Sequence, residues 1–103
     1  MTAGAACLPS RESIEAARRV AKIADPVAEC ARRWPGFTFS VARLGVRGGK
    51  RFTQIEARWT RCGAAHGLRD ELPVDASLAD IADAKTRIAV CALTNDERRR
   101  TSQ

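Results

Sequence analysis

Phe37-Thr-Phe-Ser-Val-Ala-Arg-Leu-Gly-Val-Arg-Gly-Gly-Lys-Arg-Phe-Thr-Gln-Ile-Glu-Ala-Arg-Trp59 is the one stretch of this chain with a clear period of two. Alternation puts every second side chain on one face of a strand, and the paired glycines midway supply a turn. The stretch therefore predicts a β-hairpin. Phe37, Phe39 and Val41 share a face of the first strand, and Ile55, Ala57 and Trp59 share a face of the second. Both sets must point the same way, because a slip of one residue turns a strand's apolar set to water. A two-residue turn at Gly48-Gly49 pairs Val41 with Glu56, which fails that test. A three-residue loop, Arg47-Gly48-Gly49, pairs Val41 with Ile55, Phe39 with Ala57 and Phe37 with Trp59, with Gly49 in the left-handed region. That register is the one expected. It sets Thr38, Ser40, Ala42 and Leu44 against Arg58, Glu56, Gln54 and Phe52 on the opposite face.

A hairpin is not stable alone and needs a helix or a further strand on its apolar face. Upstream, Val20, Ile23, Val27, Cys30 and Trp34 recur at helical spacing. Ser10 or Ser13 is a cap for a helix to about Ala24, and Asp25-Pro26 is a cap followed by proline at the first helical position. The apolar stripe crosses Pro26 in phase. Either one helix kinks there or two helices meet nearly collinearly. Arg18, Arg19, Lys22, Arg32 and Arg33 lie off the stripe and are expected to face water. Trp34-Pro35-Gly36 stops the helix.

Downstream, Arg61-Cys62-Gly63 reads as a turn, and residues 64–73 as irregular, with a short helix before Pro73 as one option. Ser77-Leu-Ala-Asp80 is a capping box, with Leu78 and Ile81 expected inward. Thr86 to Leu93 fits a helix by its alanines and a buried strand by Thr86, Ile88 and Val90. The strand is favoured, as support for the hairpin. The expected fold class is α+β: an N-terminal helix, kinked or split at Pro26, packed on a β-hairpin, then a helix and a third antiparallel strand. Residues 1–103 are read as one small domain, with 1–9 and 95–103 as flexible ends.

The chain has 18 Lys and Arg, 12 Asp and Glu, and a net charge of +6. The charge is uneven. Residues 1–61 hold the excess of bases, while Asp70, Glu71, Asp75, Asp80 and Asp83 follow one another with no base among them. A basic surface favours nucleic acid or an acidic protein partner. The hairpin tip carries Arg43, Arg47, Lys50 and Arg51, with Phe52 beside them and Arg58 and Arg61 further down. These seven are the candidate binding residues. A two-stranded ribbon fits a major groove or lies along a phosphate backbone, and an aromatic among arginines equally suits a protein partner.

Candidate chemistry is thin. Cys62 and His66 with Asp70 are the one set from which a nucleophile, base and orienting carboxylate can be drawn, and Gly63 and Gly67 place them in a loop. Cys30, Cys62, His66 and Cys91 make a zinc site only if three distant segments converge, and the four cysteines contain no C-x-x-C pair. Gly45 to Arg51 is no phosphate loop: Leu44 stands where the first glycine belongs, and Arg51 follows the lysine where Ser or Thr is required. The expectation is a protein that is not an enzyme, with no catalytic residue, metal or cofactor. There is no signal-like start and no apolar run of membrane length, so a cytoplasmic protein with reduced thiols is expected.

Trp34-Pro35-Gly36, Phe39-Ser40-Val41, Gly48-Gly49 and Trp59-Thr60 together resemble a large-polyvalent-protein-associated domain family of phages and conjugative elements, over roughly residues 26–63. Arg61 and Cys62 stand where that family places an acidic residue and a glycine. The resemblance implies an accessory protein of a mobile genetic element, and it brings no catalytic residues with it. The reading that follows is a phage or plasmid protein of anti-CRISPR or anti-restriction type. It would bind a bacterial protein or nucleoprotein of host defence sterically. The alternative is a direct DNA- or RNA-binding protein that uses the hairpin tip. The oligomeric state is open, because an exposed hairpin edge can pair with a second copy.

Overall fold

The computed structural model describes residues 10–101, without the side chains of 44–47, 50 and 101. The N-terminal stretch 1–9, read from sequence as a loose arm, lies outside the described residues.

Ser10 caps the first helix, α1 (Arg11–Ala21), and its side chain accepts from the Ser13 amide at 3.1 Å. Asp25 caps the second, α2 (Pro26–Arg33), accepting from the Ala28 amide at 3.1 Å, with Pro26 in its first turn. The chain is non-helical between them, so the helix is split and not kinked. The stripe nonetheless holds across the break: Val20, Cys30 and Trp34 are buried, and Ile23 and Val27 pack against the same core. Beyond Trp34 the chain reverses through Gly36, whose φ of +91° is a conformation that favours glycine.

The sheet is antiparallel, in the order β1-β2-β3, with β1 at Thr38–Arg47, β2 at Lys50–Arg61 and β3 at Ala64–Pro73. Val41 pairs with Ile55 and Phe39 with Ala57, as the apolar faces require. The tip differs from expectation. The turn has two residues, with Arg47 paired to Lys50 and Gly48 and Gly49 both at positive φ, +57° and +79°. A bulge between Ala42 and Gly45 absorbs the odd residue, so Gly45, not Leu44, faces Phe52. Two demands compete here. Paired glycines favour the tight turn that matches strand twist, and the buried face demands the other register. A bulge satisfies both.

The second hairpin repeats the device. Cys62 and Gly63 form its turn at φ 52° and 78°. The strand that follows, β3, occupies residues expected to be irregular. It pairs Trp59 with His66, Ala57 with Leu68, Ile55 with Asp70 and Thr53 with Leu72. Its core face thus alternates His66, Leu68, Asp70 and Leu72. Only two of these are apolar, and that hid the period from the sequence. β2 is the central strand, and Thr53, Ile55, Ala57 and Trp59 are buried along it.

The third helix, α3 (Leu78–Thr101), follows the strands. Its capping box forms as read: the Asp80 amide donates to Ser77 Oγ at 3.0 Å, and the Ser77 amide donates to Asp80 Oδ2 at 3.1 Å. Residues 86–93, favoured as a strand, lie inside this helix. The slot for a third strand is already filled by β3, and Ile81, Ala84, Ile88, Ala92 and Asp96 form a buried stripe at helical spacing. Ile81 points inward, whereas Leu78 is 82% exposed in the first turn. Residues 95–101, read as a charged tail, are the last turns of α3, and Asp96 and Glu97 are buried there. Helices pack on one face of the sheet. The other face, with Gln54, Glu56 and Arg58 from β2 and Arg69 and Glu71 from β3, is polar and uncovered. Among the described residues no helix is long and apolar enough to cross a membrane.

Candidate binding surface

The seven candidate residues divide into three groups. The first is bonded to distant parts of the fold. Arg43, on the bulged part of β1, donates to the carbonyl oxygens of Val74 at 2.8 Å and Ala76 at 2.9 Å. It clamps the loop that leads into α3, and two of its five N–H donors are taken by that backbone. Arg61, at the far end of β2, donates from Nε to Asp96 Oδ1 at 2.9 Å.

The second group is Arg58 alone, on the uncovered sheet face. Its Nε donates to Glu56 Oε1 at 3.0 Å, and Arg69 of β3 donates to Glu56 Oε2 at 2.8 Å. The hydrogen bond from Arg69, then the charge of Arg58, holds the Glu56 carboxyl below its ordinary pKa. One carboxylate thus faces two guanidiniums, which leaves a single net positive charge in the middle of the face.

The third group is the tip. β3 ends at Pro73 opposite Phe52, and beyond that point β1 and β2 continue as a two-stranded ribbon, residues 46–49 and 50–51. Arg51 is exposed there. Arg47 and Lys50 sit on either side of the turn by their backbone register, and their side chains lie outside the described residues. Phe52, beside the arginines in sequence, is half-buried at the base of the ribbon.

A second charged set was not found from sequence. Arg33 was expected to face water, yet only 16% of its side chain is exposed. It donates to Glu29 Oε2 at 2.7 Å, Asp96 Oδ2 at 3.0 Å and Glu97 Oε2 at 2.6 Å. Arg19 reaches Glu97 at 3.0 Å, and Arg100 reaches Asp96 at 3.2 Å. The network ties α1, α2, β2 and α3 together. Burial disfavours the Arg33 charge, but the bonds to Glu29 and Glu97 outweigh it, and its pKa is raised. Glu29-x3-Arg33 and Asp96-x3-Arg100 are i,i+4 pairs, the one signal of this network visible in the sequence.

The cysteines considered for catalysis or zinc sit on different elements. Cys30 is buried and its Sγ donates to the Ala89 carbonyl at 3.6 Å; burial pushes its pKa up to about 12, so it stays a thiol. Cys62 is exposed in the second turn, and Cys91 is exposed on α3. His66 stacks on Trp59 with centroids 5.7 Å apart. Asp70 accepts from Arg87 at 3.0 Å, so the carboxylate considered as an orienter has another partner. Among the described residues no three His, Cys, Asp or Glu side chains come together to hold a metal ion.

No protein-family model, curated protein or solved structure matches this chain.

Proposed function

We propose that this chain is a non-enzymatic binding protein of a mobile genetic element, whose contact element is the basic ribbon at the end of the β1–β2 hairpin. In this reading it acts in the bacterial cytoplasm. It seats the ribbon on a host defence nucleoprotein and blocks it sterically, as an anti-CRISPR or anti-restriction protein would.

One observation carries the proposal. The hairpin runs on past the end of β3, and Arg47, Lys50 and Arg51 fall on that extension, while Arg43, Arg58 and Arg61 are bonded within the fold. A narrow, cationic projection suits an anionic groove or an exposed phosphate backbone. The mobile-element assignment rests on the resemblance of Trp34-Pro35-Gly36 and the residues with it.

Direct binding of DNA or RNA is the second reading. Charge favours it: Arg47, Lys50 and Arg51 fall on the ribbon by its register, Arg51 is exposed and Phe52 is half-buried.

The experiment is a pull-down of the tagged full chain from bacterial lysate at moderate salt, with and without nuclease. It is repeated with Arg47, Lys50 and Arg51 changed together to Ala. A defined complex that survives nuclease and is lost in the triple variant supports the defence-target reading. Loss of all binding on nuclease treatment moves the assignment to nucleic acid. There the triple variant should lower the slope of log affinity against log salt by about 3, roughly 0.9 per phosphate contact. A complex that the triple variant keeps intact overturns the role of the ribbon.

A further inference from the structure

At the end of β2 away from the ribbon, ten residues or roughly 30 Å along the strand, a cleft opens between the sheet and the last turns of α3. It is open to solvent on one side and holds about 150 Å³, so a ligand larger than a single ring must extend beyond it. Trp34, Trp59 and His66 contribute to its wall. These rings form a continuous stack: Trp34 to Trp59 at 5.5 Å and 25°, then Trp59 to His66 at 5.7 Å and 14°. The two tryptophans are buried, and His66, half-buried on the edge strand, is the accessible member.

The lining of the cleft is also polar, with Arg61 from β2 and Asn95, Asp96 and Arg99 from α3. Asp96 is already matched by Arg33, Arg61 and Arg100. Arg99 is exposed and has no ion-pair partner among the described residues, so the wall presents a free positive charge. Asn95 and Arg99 are four residues apart on one helix face, with Cβ atoms roughly 6 Å apart. The Asn95 amide, whose Nδ2 makes one long contact of 4.0 Å to Cys91 Sγ, still has its oxygen and a second N–H, and it stands one turn from a guanidinium, beside a ring stack.

We propose that this cleft binds a nucleotide, free or as an unpaired base of a single strand, with the base stacked against His66, its edge read by Asn95 and its phosphate held by Arg99. Stacking takes any base, a side-chain amide matches the donor–acceptor edge of adenine, and a guanidinium forks onto phosphate. A simple aromatic acid carries its charge next to its ring and does not span both groups.

Trp34 and Trp59 report on the cleft by fluorescence. The full chain is titrated with adenosine monophosphate, with a short oligodeoxyadenylate, and with ribose 5-phosphate, each into the millimolar range. Saturable quenching by the mononucleotide identifies a free-nucleotide site, and quenching by the oligomer alone identifies a single-strand site. Ribose 5-phosphate should give none. His66→Ala and Arg99→Ala should each raise the half-saturating concentration about tenfold or more, within the worth of one base–aromatic stack. Arg99 lies on an exposed helix end, so its variant keeps the test valid if His66→Ala unfolds. No saturable quenching by either adenine probe, or quenching unchanged in Arg99→Ala, overturns the proposal. The ribbon is read by a different assay at the other end of the molecule, and either can fail without the other.

Discussion

Asp96→Asn is the sharpest perturbation of this fold. The side chain keeps its shape and loses its charge. In the native protein it is 2% exposed and accepts from Arg33 Nη1 at 3.0 Å and Arg61 Nε at 2.9 Å. Arg33 and Arg61 are themselves 16% and 24% exposed, so water replaces little of what is lost. Removing one partner of a buried pair costs about 3–5 kcal/mol, because the other charge is left uncompensated. Arg33 keeps Glu29 and Glu97, which places the expected loss at the lower end, about 3 kcal/mol. Arg100→Ala is the control. It removes a contact to the same carboxylate from a side chain 61% exposed, and is expected to cost at most about 0.5 kcal/mol. Urea unfolding followed by Trp34 and Trp59 fluorescence reads both. At a slope of about 1–3 kcal/mol per molar, the Asp96→Asn midpoint should fall by roughly 1–3 M, while that of Arg100→Ala barely moves. A loss below about 1 kcal/mol in Asp96→Asn, or equal losses in the two variants, would refute the claim that this network is desolvated and holds the helices to the sheet.

Two further outcomes follow from the same geometry. Ile81→Ala, at a residue 7% exposed, should cost about 2–4 kcal/mol by the lost burial and the void it leaves, whereas Leu78→Ala, three residues earlier and 82% exposed, should stay within about 0.5 kcal/mol; equal effects in a denaturant titration would contradict the placement of α3. Acid should weaken the fold in a defined window. Glu29 is held below its ordinary 4.5 by hydrogen bonds from Arg32 and Arg33; for Glu97, burial acts to raise the pKa, but the bond and charge of Arg33 win and it is lowered from 4.5. The unfolded chain therefore takes up these protons first as pH falls. The stability they contribute is present above about pH 4.5 and is lost as pH drops through the folded-state values. The melting temperature should be steady above pH 5 and decline below it, with a shallower decline in Glu97→Gln; parallel declines would count against the Arg33–Glu97 bond.

The hairpin was legible because its two strands carry a complete alternating pattern, and Val41 against Ile55 followed from that pattern alone. The helix caps at Ser10, Asp25 and Ser77 were legible for the same kind of reason: each is a short-range bond between residues three apart. β3 was not legible. His66 and Asp70 interrupt its apolar face, and each is made tolerable by a partner distant in sequence or across the sheet, Arg87 for Asp70 and the Trp59 ring for His66. Residues 86–93 carry β-branched side chains that suit either state, and the arrival of β3 beside β2 decided for helix.

Local sequence therefore determined the elements whose signals are complete within a few residues: the caps, a break or kink at Pro26, and the core register of the hairpin with its basic residues near the tip. Tertiary structure alone decided which charges remain free. Arg33, Arg43 and Arg61 look in the sequence like solvated cations. They meet Glu97, the Val74 carbonyl and Asp96 only after the chain has folded back across 64, 31 and 35 residues. An ion pair between distant segments leaves no periodic trace in the sequence, because its energy depends on burial that neither segment has by itself.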